Sequence, residues 1–390
     1  MVNGRGEIGK EEEAMLPIVG IPQTLAKGME RFRTIGCRAE GFEPICRLIT
    51  GLVLSPNKTL QGIDDRQVWE GEAPSRRAMP EAVFESGWDS AAFMKQHRTE
   101  VAQTYPGRGR QVLSLDWTLA HHERGPTLYA VTRSYDYVER RMAWFQTVAT
   151  AVVSNRDGVD GREVVAQAPH DGKAEAAYLK ATANERDEQR EEVQRRLLEL
   201  LHDHKHRLKY RKRTELAVAI VRPLEAESPF PQASYAFDNG VLTLERTRLI
   251  ERGGKHWVSE LEVSRPIQWQ GDFWRVDEVA ADWRHPHPES VRAMRVSGRH
   301  GEETVFFALT TVVRLKRSGR KRLVMVHEQR ELSDAPRFWV TDALHWESGR
   351  VIQTWSDCWA SEAVHEAGQA GVGCGVRSGC PRKRSDAPSG

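Results

Sequence analysis

The spacing of apolar positions divides the chain into a helical first quarter and a strand-rich remainder. Residues 16–90 contain four short stretches with helical spacing. Ser75 is a suitable N-cap for the last of these, and Pro80 is expected to kink it. From about residue 110 the pattern changes to short runs rich in Val, Thr and Ala, which favour strands. We therefore expect a small helical module followed by a larger α/β region.

Two predicted strands end on an aspartate. The run "QVLSLDW" predicts a buried strand that ends on Asp116, and "ASYAFDN" predicts one that closes on Asp238. Carboxylates at the ends of neighbouring strands can converge, because a sheet holds them about one strand spacing apart. Hard divalent cations take oxygen ligands, and a pair of them can stabilise both oxygens of a phosphoryl displacement. Each aspartate alone could equally be a turn or cap residue.

Helical and strand patterns alternate after the first aspartate. Residues 173–208 lack Gly and Pro and predict a long helix. The run "LAVAIV" (216–221) predicts a short strand. Residues 242–252 predict a helix that stops at Gly253 and Gly254, and "HWVSELEV" predicts the next strand.

The last third of the chain falls into three parts. Residues 266–345 alternate in a strand-like way and predict a β-rich insertion. Residues 346–366 return to helical spacing. Residues 367–390 are rich in Gly, Arg and Ser without an apolar period, which predicts no ordered structure.

A third candidate acid lies on the predicted closing helix. The apolar stripe Val351, Trp355 and Trp359 leads to Glu362 on the same face. A carboxylate on a core-facing stripe is costly without a partner, and a metal ion would supply one. The alternative is that Glu362 simply emerges at the rim. Glu347 is a second candidate, although it falls at the helix start, where the dipole favours Glu.

A histidine pair follows the first aspartate closely. His121 and His122, together with Asp116, raise the possibility of a transition-metal site. No third soft ligand stands at a regular spacing, so a loop or DNA contact is the favoured interpretation.

Composition narrows the possible classes of protein. The chain has 390 residues, 39% of them hydrophobic, which is enough for one large or two medium cores. It has no apolar run of about 18 residues and no secretory signal, so we expect a cytoplasmic, nucleoid-associated protein without membrane contact. Its five cysteines form no CxxC pair, which indicates neither a zinc ribbon nor a disulfide framework.

A net charge of only +2 conceals clusters of basic residues. The blocks "HKHRLKYRKR" and "RLKRSGRKR" are typical of solvated helix ends or hairpin turns, but two of them beside candidate acids favour a polyanion partner. The stretch "APSRRAM" suits a DNA-contacting helical module, although a helical cap without a DNA role is an open alternative. The candidate DNA-binding residues are Arg76, Arg77, Lys205, Arg207, Lys209, Arg211, Lys212, Arg213, Lys316, Arg317, Arg320, Lys321, Arg322 and, as a platform for an exposed base, Trp117.

Several stretches in combination resemble a known family. They are "CRAEGFEPICRLITGLVLSPNKTLQGI", "SLDWTLAHHERGP", "YDYVERR", "FPQASYAFDNGVLTLE", "GKHWVSELEVSR" and "FWVTDALHWESGRVIQTWSDCWASE". Across residues 16–366 the chain resembles bacterial insertion-sequence transposases of the DDE superfamily, in the branch with a Tyr-Arg-Glu-Lys signature. The resemblance implies an α/β, RNase H-like fold, with a mixed sheet flanked by helices and a β-rich insertion.

The resemblance also implies a site and an activity. Asp116, Asp238 and Glu362 match the three catalytic, metal-binding acids, which would hold two Mg²⁺ or Mn²⁺ ions. The expected reaction is cleavage at the element ends and strand transfer. The expected partners are double-stranded DNA and, in the synaptic complex, further copies of the chain. The predicted organisation is 1–14 disordered, 15–105 helical and DNA-binding, 106–265 catalytic core, 266–345 insertion, 346–366 closing helix and 367–390 disordered tail.

The chain departs from the signature of this branch. Trp355, Cys358 and Gln369 stand where the signature has Tyr, Arg and Lys, and only Glu362 is retained. Cys and Gln cannot supply the positive charges that would contact phosphates. The Gly-rich tail also replaces further helix, as a frameshift would cause. Two alternatives follow: a catalytically inactive DNA-binding remnant, and a non-transposing nuclease with the same acids.

Overall fold

The structure is a computed structural model that describes most of the chain. One mixed sheet is flanked by helices, which confirms the predicted α/β, RNase H-like class. The described residues are 18–35, 39–57, 59–66, 77–82, 89–104, 109–122, 130–136, 139–155, 158–167, 195, 211–284, 290–298, 302–358, 361 and 375–378. The predicted long helix at 173–208 lies outside them, apart from Arg195.

The chain divides into two compact units, residues 1–96 with 371–373 and residues 97–370 with 374–390. In the first unit Met29, Phe42 and Cys46 form a small core. The helix predicted around Pro80 is described from Ala78, and it continues past Pro80 as a π-helical turn at residues 81–82. Its predicted N-cap, Ser75, lies outside the described residues. The helices are α1 (Gln23–Glu30), α2 (Ala39–Leu54), α3 (Leu60–Arg66), α4 (Ala78–Pro80) and α5 (Ser90–Thr104), the last continuing into the second unit.

The second unit contains the sheet and four further helices among its described residues. The strands are β1 (Val112–His122), β2 (Val131–Asp136), β3 (Arg141–Ser154), β4 (Val159–Ala166), β5 (Ser234–Phe237), β6 (Trp257–Glu260), β7 (Pro266–Trp269), β8 (Asp272–Arg275), β9 (Arg292–Ser297), β10 (Glu303–Leu315), β11 (Gly319–His327), β12 (Arg337–Thr341) and β13 (Gly375–Ser378). The helices are α6 (Arg213–Glu227), α7 (Leu244–Arg252), α8 (Val276–Arg284) and α9 (Ser348–Cys358), with a 3₁₀ turn at Asn239–Val241.

The sheet runs in the order β2-β3-β1-β5-β6-β12-β11-β10-β7-β8, with β4 on β3, β9 on β10 and β13 on β1. Strands β5 and β6 run parallel to β1, and β3 is antiparallel to it. Because β12 pairs with β6, the strands predicted as an insertion continue the central sheet. Strand β13 lies in the tail for which the sequence predicts no ordered structure.

The run "LAVAIV" was predicted as a strand, and that prediction is wrong. It belongs to α6, which buries Leu216, Ala217, Ile220 and Leu224 along one helical face. A six-residue apolar run is ambiguous by itself, and here the charged helix formers on both sides continue the helical pattern. Similarly, Val276–Arg284 lies within the predicted β-rich insertion but forms helix α8.

Two apolar layers cover the sheet. On one face Leu115, Phe237 and Trp257 pack with residues of α6 and α7. On the other face Val258 packs with Val351 and Ile352 of α9. Alternation along each strand therefore decides which side chains face α9.

Candidate active site

Asp116 lies in the middle of β1, so the prediction that the strand ends there is wrong. Strand β3 pairs with β1 along its whole length, with Asp116 opposite Thr150. The parallel pairing to β5, in contrast, stops at Leu115 and Phe237. The backbone of Asp116 is therefore paired with β3 on one side. On the other side, Asp116 is the first residue of β1 beyond its ladder with β5.

Asp238 follows β5 directly and occupies the position next to Asp116 on the adjacent parallel strand. Burial raises the pKa of the Asp238 carboxyl, and the charge of Asp116 raises it further. Its Oδ1 atom is buried and has no hydrogen-bond partner among the described residues. A buried, unpaired carboxylate oxygen is costly in the protein alone and is suited to contact a cation.

Glu260 is an acid of this region that the sequence did not single out. Phe237 pairs with Ser259 in the parallel ladder between β5 and β6, so Glu260 is the next residue beside Asp238. It is half-buried; burial raises its pKa, the charge of Arg337 opposes that shift, and the charge of Asp238 adds to it. The predicted strand-helix-strand order around Asp238 was the available signal, because such a crossover makes parallel neighbours.

Helix α9 covers the face that carries these acids. Ser361, in the helical segment beyond it, donates a hydrogen bond of 3.1 Å to Oδ2 of Asp116. Ser154 on β3 donates one of 3.1 Å to the carbonyl of Asp357. Val258 faces α9, so alternation places Glu260, two residues later on β6, on that face as well.

Of the two candidates for the third acid, Glu362 and Glu347, only Glu347 lies among the described residues. Glu362 lies outside the described residues, although it follows Ser361 directly in the chain. Glu347 is exposed just before α9, and its carbonyl accepts hydrogen bonds from the backbone of Arg350 and Val351. These bonds place Glu347 at the start of α9, as its sequence position predicted.

A buried arginine accompanies the carboxylates. Arg246 on α7 is 0% exposed, and its guanidinium carbon lies 3.6 Å from the ring centre of Phe237. Burial lowers its pKa to about 9 while the charge of Asp238 opposes that shift, so it stays positive at neutral pH. Its guanidinium nitrogens have no hydrogen-bond partner among the described residues. This charge offsets part of the negative charge of the acids.

His121 and His122 lie on β1, so the predicted loop position of the histidine pair is wrong. The Nε2 atom of His121 is 2.7 Å from Oδ2 of the buried Asp136, and Glu139 completes a set whose ligand atoms all lie within 4.8 Å of one another. Glu139, the third candidate ligand, lies in the turn after β2 and also pairs with Arg141, so no regular spacing revealed the set. His122 contacts Gln146 at 3.0 Å instead.

The predicted basic residues divide into exposed and internal ones. Lys321 pairs with Glu251 at 3.1 Å with its side chain 8% exposed, and Arg322 donates to the carbonyl of Leu344. These two serve contacts within the chain, which corrects their assignment to a DNA surface. The described residues that remain exposed are Arg77, Arg211, Lys212, Arg213, Lys316, Arg317 and Arg320, whereas Arg76, Lys205, Arg207 and Lys209 lie outside the described part of the chain.

Trp117 is half-buried and packs against the core layer beneath α6. The guanidinium of Arg213 lies 6.0 Å from its ring centre. Because this ring is largely covered by the protein, the DNA proposal below does not depend on it.

Comparison with solved structures gives weak likenesses, two of which are described by their coverage and TM-score. The chain aligns over 84% of its length with 58% of a chain in the piggyBac transposase synaptic complex with hairpin DNA, at a TM-score of 0.35 and 10% identity. It aligns over 69% of its length with 80% of the NurA nuclease from Sulfolobus solfataricus, at a TM-score of 0.23 and 10% identity. No protein-family description and no curated protein matches. None of the described helices is long and apolar enough to cross a membrane.

Proposed function

We propose that the protein is a DDE transposase that cuts DNA at the ends of its own element and joins them to target DNA. The observation that supports this most strongly is the placement of Asp116 and Asp238. They follow paired residues of two parallel strands, and Ser361, which precedes Glu362 in the chain, contacts Asp116. The weak likenesses to solved structures add no weight, so the proposal rests on these residues and on the sequence resemblance.

The donor set suits a hard divalent cation. Asp116, Asp238 and Glu362 would hold Mg²⁺ or Mn²⁺ through carboxylate oxygens, and Oδ1 of Asp238 has no other partner among the described residues. Two such ions, when bound, would lower the pKa of water and stabilise charge on the attacking and leaving oxygens. The sheet holds both aspartates in position before DNA binds. Arg246 limits their mutual repulsion.

The exposed basic residues would hold the DNA backbone. Lys316, Arg317 and Arg320 surround the turn between β10 and β11, and Arg211 to Arg213 begin α6. Lys and Arg contacts to phosphates give affinity without sequence preference, so recognition of the element ends needs further contacts. We propose that a homo-oligomer brings two ends together.

A cleavage assay tests this function. The full-length chain is incubated with linear DNA that carries the inverted repeats found beside its gene, in Mg²⁺ or Mn²⁺. Cuts that leave a 3′-hydroxyl at the repeat boundary are expected, with EDTA abolishing them. Asp116→Asn and Asp238→Asn should each lower the rate at least about a hundredfold while DNA binding is retained. Equal cutting of DNA with and without repeats would identify a general nuclease instead.

A second candidate is an inactive, DNA-binding remnant of such a transposase. Cys358, at the end of α9, is the observation that favours it, because the signature has an arginine there. The remnant would bind repeat DNA without cutting it. In that case Cys358→Arg, combined with Gln369→Lys, should restore measurable cleavage, whereas activity of the unaltered chain excludes the remnant.

A further inference from the structure

Three acids form a row across three adjacent parallel strands. Leu115, Phe237 and Ser259 pair in register, and each is followed by an acid: Asp116, Asp238 and Glu260. In-register neighbours are about 4.8 Å apart from strand to strand, so Asp238 lies between the other two. The electrostatic coupling of Asp238 with both Asp116 and Glu260 agrees with this order.

The Glu260 side chain makes few polar contacts with the described residues. Its carboxylate forms no hydrogen bond or ion pair with the described residues, although the side chain is half-buried. Arg337, the positive charge that acts on it, is itself paired with Glu328 at 2.8 Å. Its guanidinium also lies 5.6 Å from the ring centre of Trp339. Burial outweighs the attraction of Arg337, so the charged form of this acid beside Asp238 is unfavourable unless something else binds it.

Asp238, the neighbour of Glu260, has a carboxylate oxygen that could bind a cation. Oδ1 of Asp238 is fully buried and accepts no hydrogen bond from the described residues. In the next position on β6, Glu260 has a side chain one methylene longer than aspartate, so it can reach back towards Asp238. A cation at Oδ1 of Asp238 would neutralise both groups at once.

We propose that Glu260 is a further carboxylate ligand of the divalent-cation site, beside Asp116 and Asp238. This inference rests on the proposed function, because it assigns a residue to the same site. Without a cation, Glu260 and Asp238 repel each other. With a cation between them, the repulsion becomes attraction, so Glu260 contributes to affinity for the ion.

Binding of Mn²⁺ to the full-length protein tests the assignment directly. Free Mn²⁺ is followed by electron paramagnetic resonance during a titration, for the unaltered chain, Glu260→Gln and a matched control, Glu262→Gln. Glu262 is an exposed acid two residues further along the same segment. Glu260→Gln should raise the Kd for Mn²⁺ about tenfold, and Glu262→Gln should leave it unchanged.

Thermal unfolding separates a ligand from a residue that only supports the fold. Glu260→Gln should raise the Tm of the metal-free protein, because it removes the repulsion, and should reduce the rise in Tm on adding Mn²⁺. A residue needed only for folding would lower the metal-free Tm instead. Should Glu260→Gln fold poorly, Glu260→Asp keeps the charge and, with its shorter reach, should bind Mn²⁺ more weakly than the unaltered chain.

The outcomes distinguish this inference from the proposed function. If the unaltered chain and Glu260→Gln bind Mn²⁺ equally, while Asp238→Asn binds it poorly, Glu260 is not a ligand and the metal site stands. If the unaltered chain binds no Mn²⁺ or Mg²⁺ with DNA present, the proposed function fails and Glu260 fails with it.

Discussion

The hydroxyl of Ser361 lies 3.1 Å from Oδ2 of Asp116, although the two residues are 245 positions apart in the chain. Its single proton is shared between this carboxylate and the carbonyl of Cys358 at 2.9 Å. The other oxygen of Asp116 accepts a hydrogen bond of 2.7 Å from the backbone of Trp117. Both oxygens are therefore oriented before any ligand binds. Ser361 thus joins the closing helical segment to the first acid of the proposed site.

Replacing this serine should weaken both the fold and the site. Ser361 is 2% exposed, so Ser361→Ala removes a buried hydrogen bond and should lower the free energy of unfolding by about 1 kcal/mol. Affinity for Mn²⁺ should fall a few-fold, since Asp116 loses its orientation. Urea unfolding and Mn²⁺ titration measure the two effects, with the exposed Ser264→Ala as control. Unchanged values for Ser361→Ala would show that this contact orients nothing.

The raised pKa values of Asp238 and Glu260 predict a specific dependence on pH. A carboxyl with a higher pKa in the folded state gives its full contribution to stability below the unfolded pKa. That contribution is lost as pH rises through the folded pKa. The metal-free protein should therefore lose stability as pH rises above about 4, the ordinary carboxyl pKa, while affinity for Mn²⁺ rises as the same protons leave.

Thermal unfolding across this window, with and without Mn²⁺, checks the prediction. In the double variant Asp238→Asn with Glu260→Gln, the Tm of the metal-free protein should depend less on pH. The rise in Tm on adding Mn²⁺ should be mostly lost. A profile of the double variant that matches the unaltered chain would assign the pH dependence to other groups.

Arg246 should set the pH at which the metal binds. Arg246→Met removes a buried positive charge beside Asp238, so the pKa of Asp238 should rise further. The pH midpoint of Mn²⁺ binding should then move upward. Arg248→Met, at an exposed position of the same helix, is the matched control. A midpoint that stays in place in Arg246→Met would mean that the charge of Arg246 does not reach the metal site.

The turn between β10 and β11 should contribute to DNA affinity through charge alone. Lys316→Ala with Arg317→Ala should weaken binding to all DNA sequences similarly and reduce the slope of log K against log salt by about one for each lost phosphate contact. Arg292→Ala with Arg295→Ala, two exposed arginines on β9, serves as the control of equal charge. Equal losses from both pairs would show an effect of net charge without preference for this turn.

The sequence by itself determined the elements whose signals are local. The strand before Asp238 and the helix that ends at Gly253 were predicted nearly residue by residue, because apolar runs, caps and glycine act over a few positions. The α/β class followed from the order of these elements. The sequence predicted that Asp116 and Asp238 would lie close together. The register of β1 against β5 gives their relative positions.

Tertiary structure alone decided the features that depend on distant residues. Strand β1 continues past Asp116 because β3, which comes later in the chain, pairs with it along its whole length. The register of β6 against β5 places Glu260 in the row of acids. Pairing of β1 and β2 with β3 brings His121 close to Asp136 and Glu139. A linear pattern specifies which way a side chain faces, but its neighbours across a sheet follow from pairing energies summed over the whole fold.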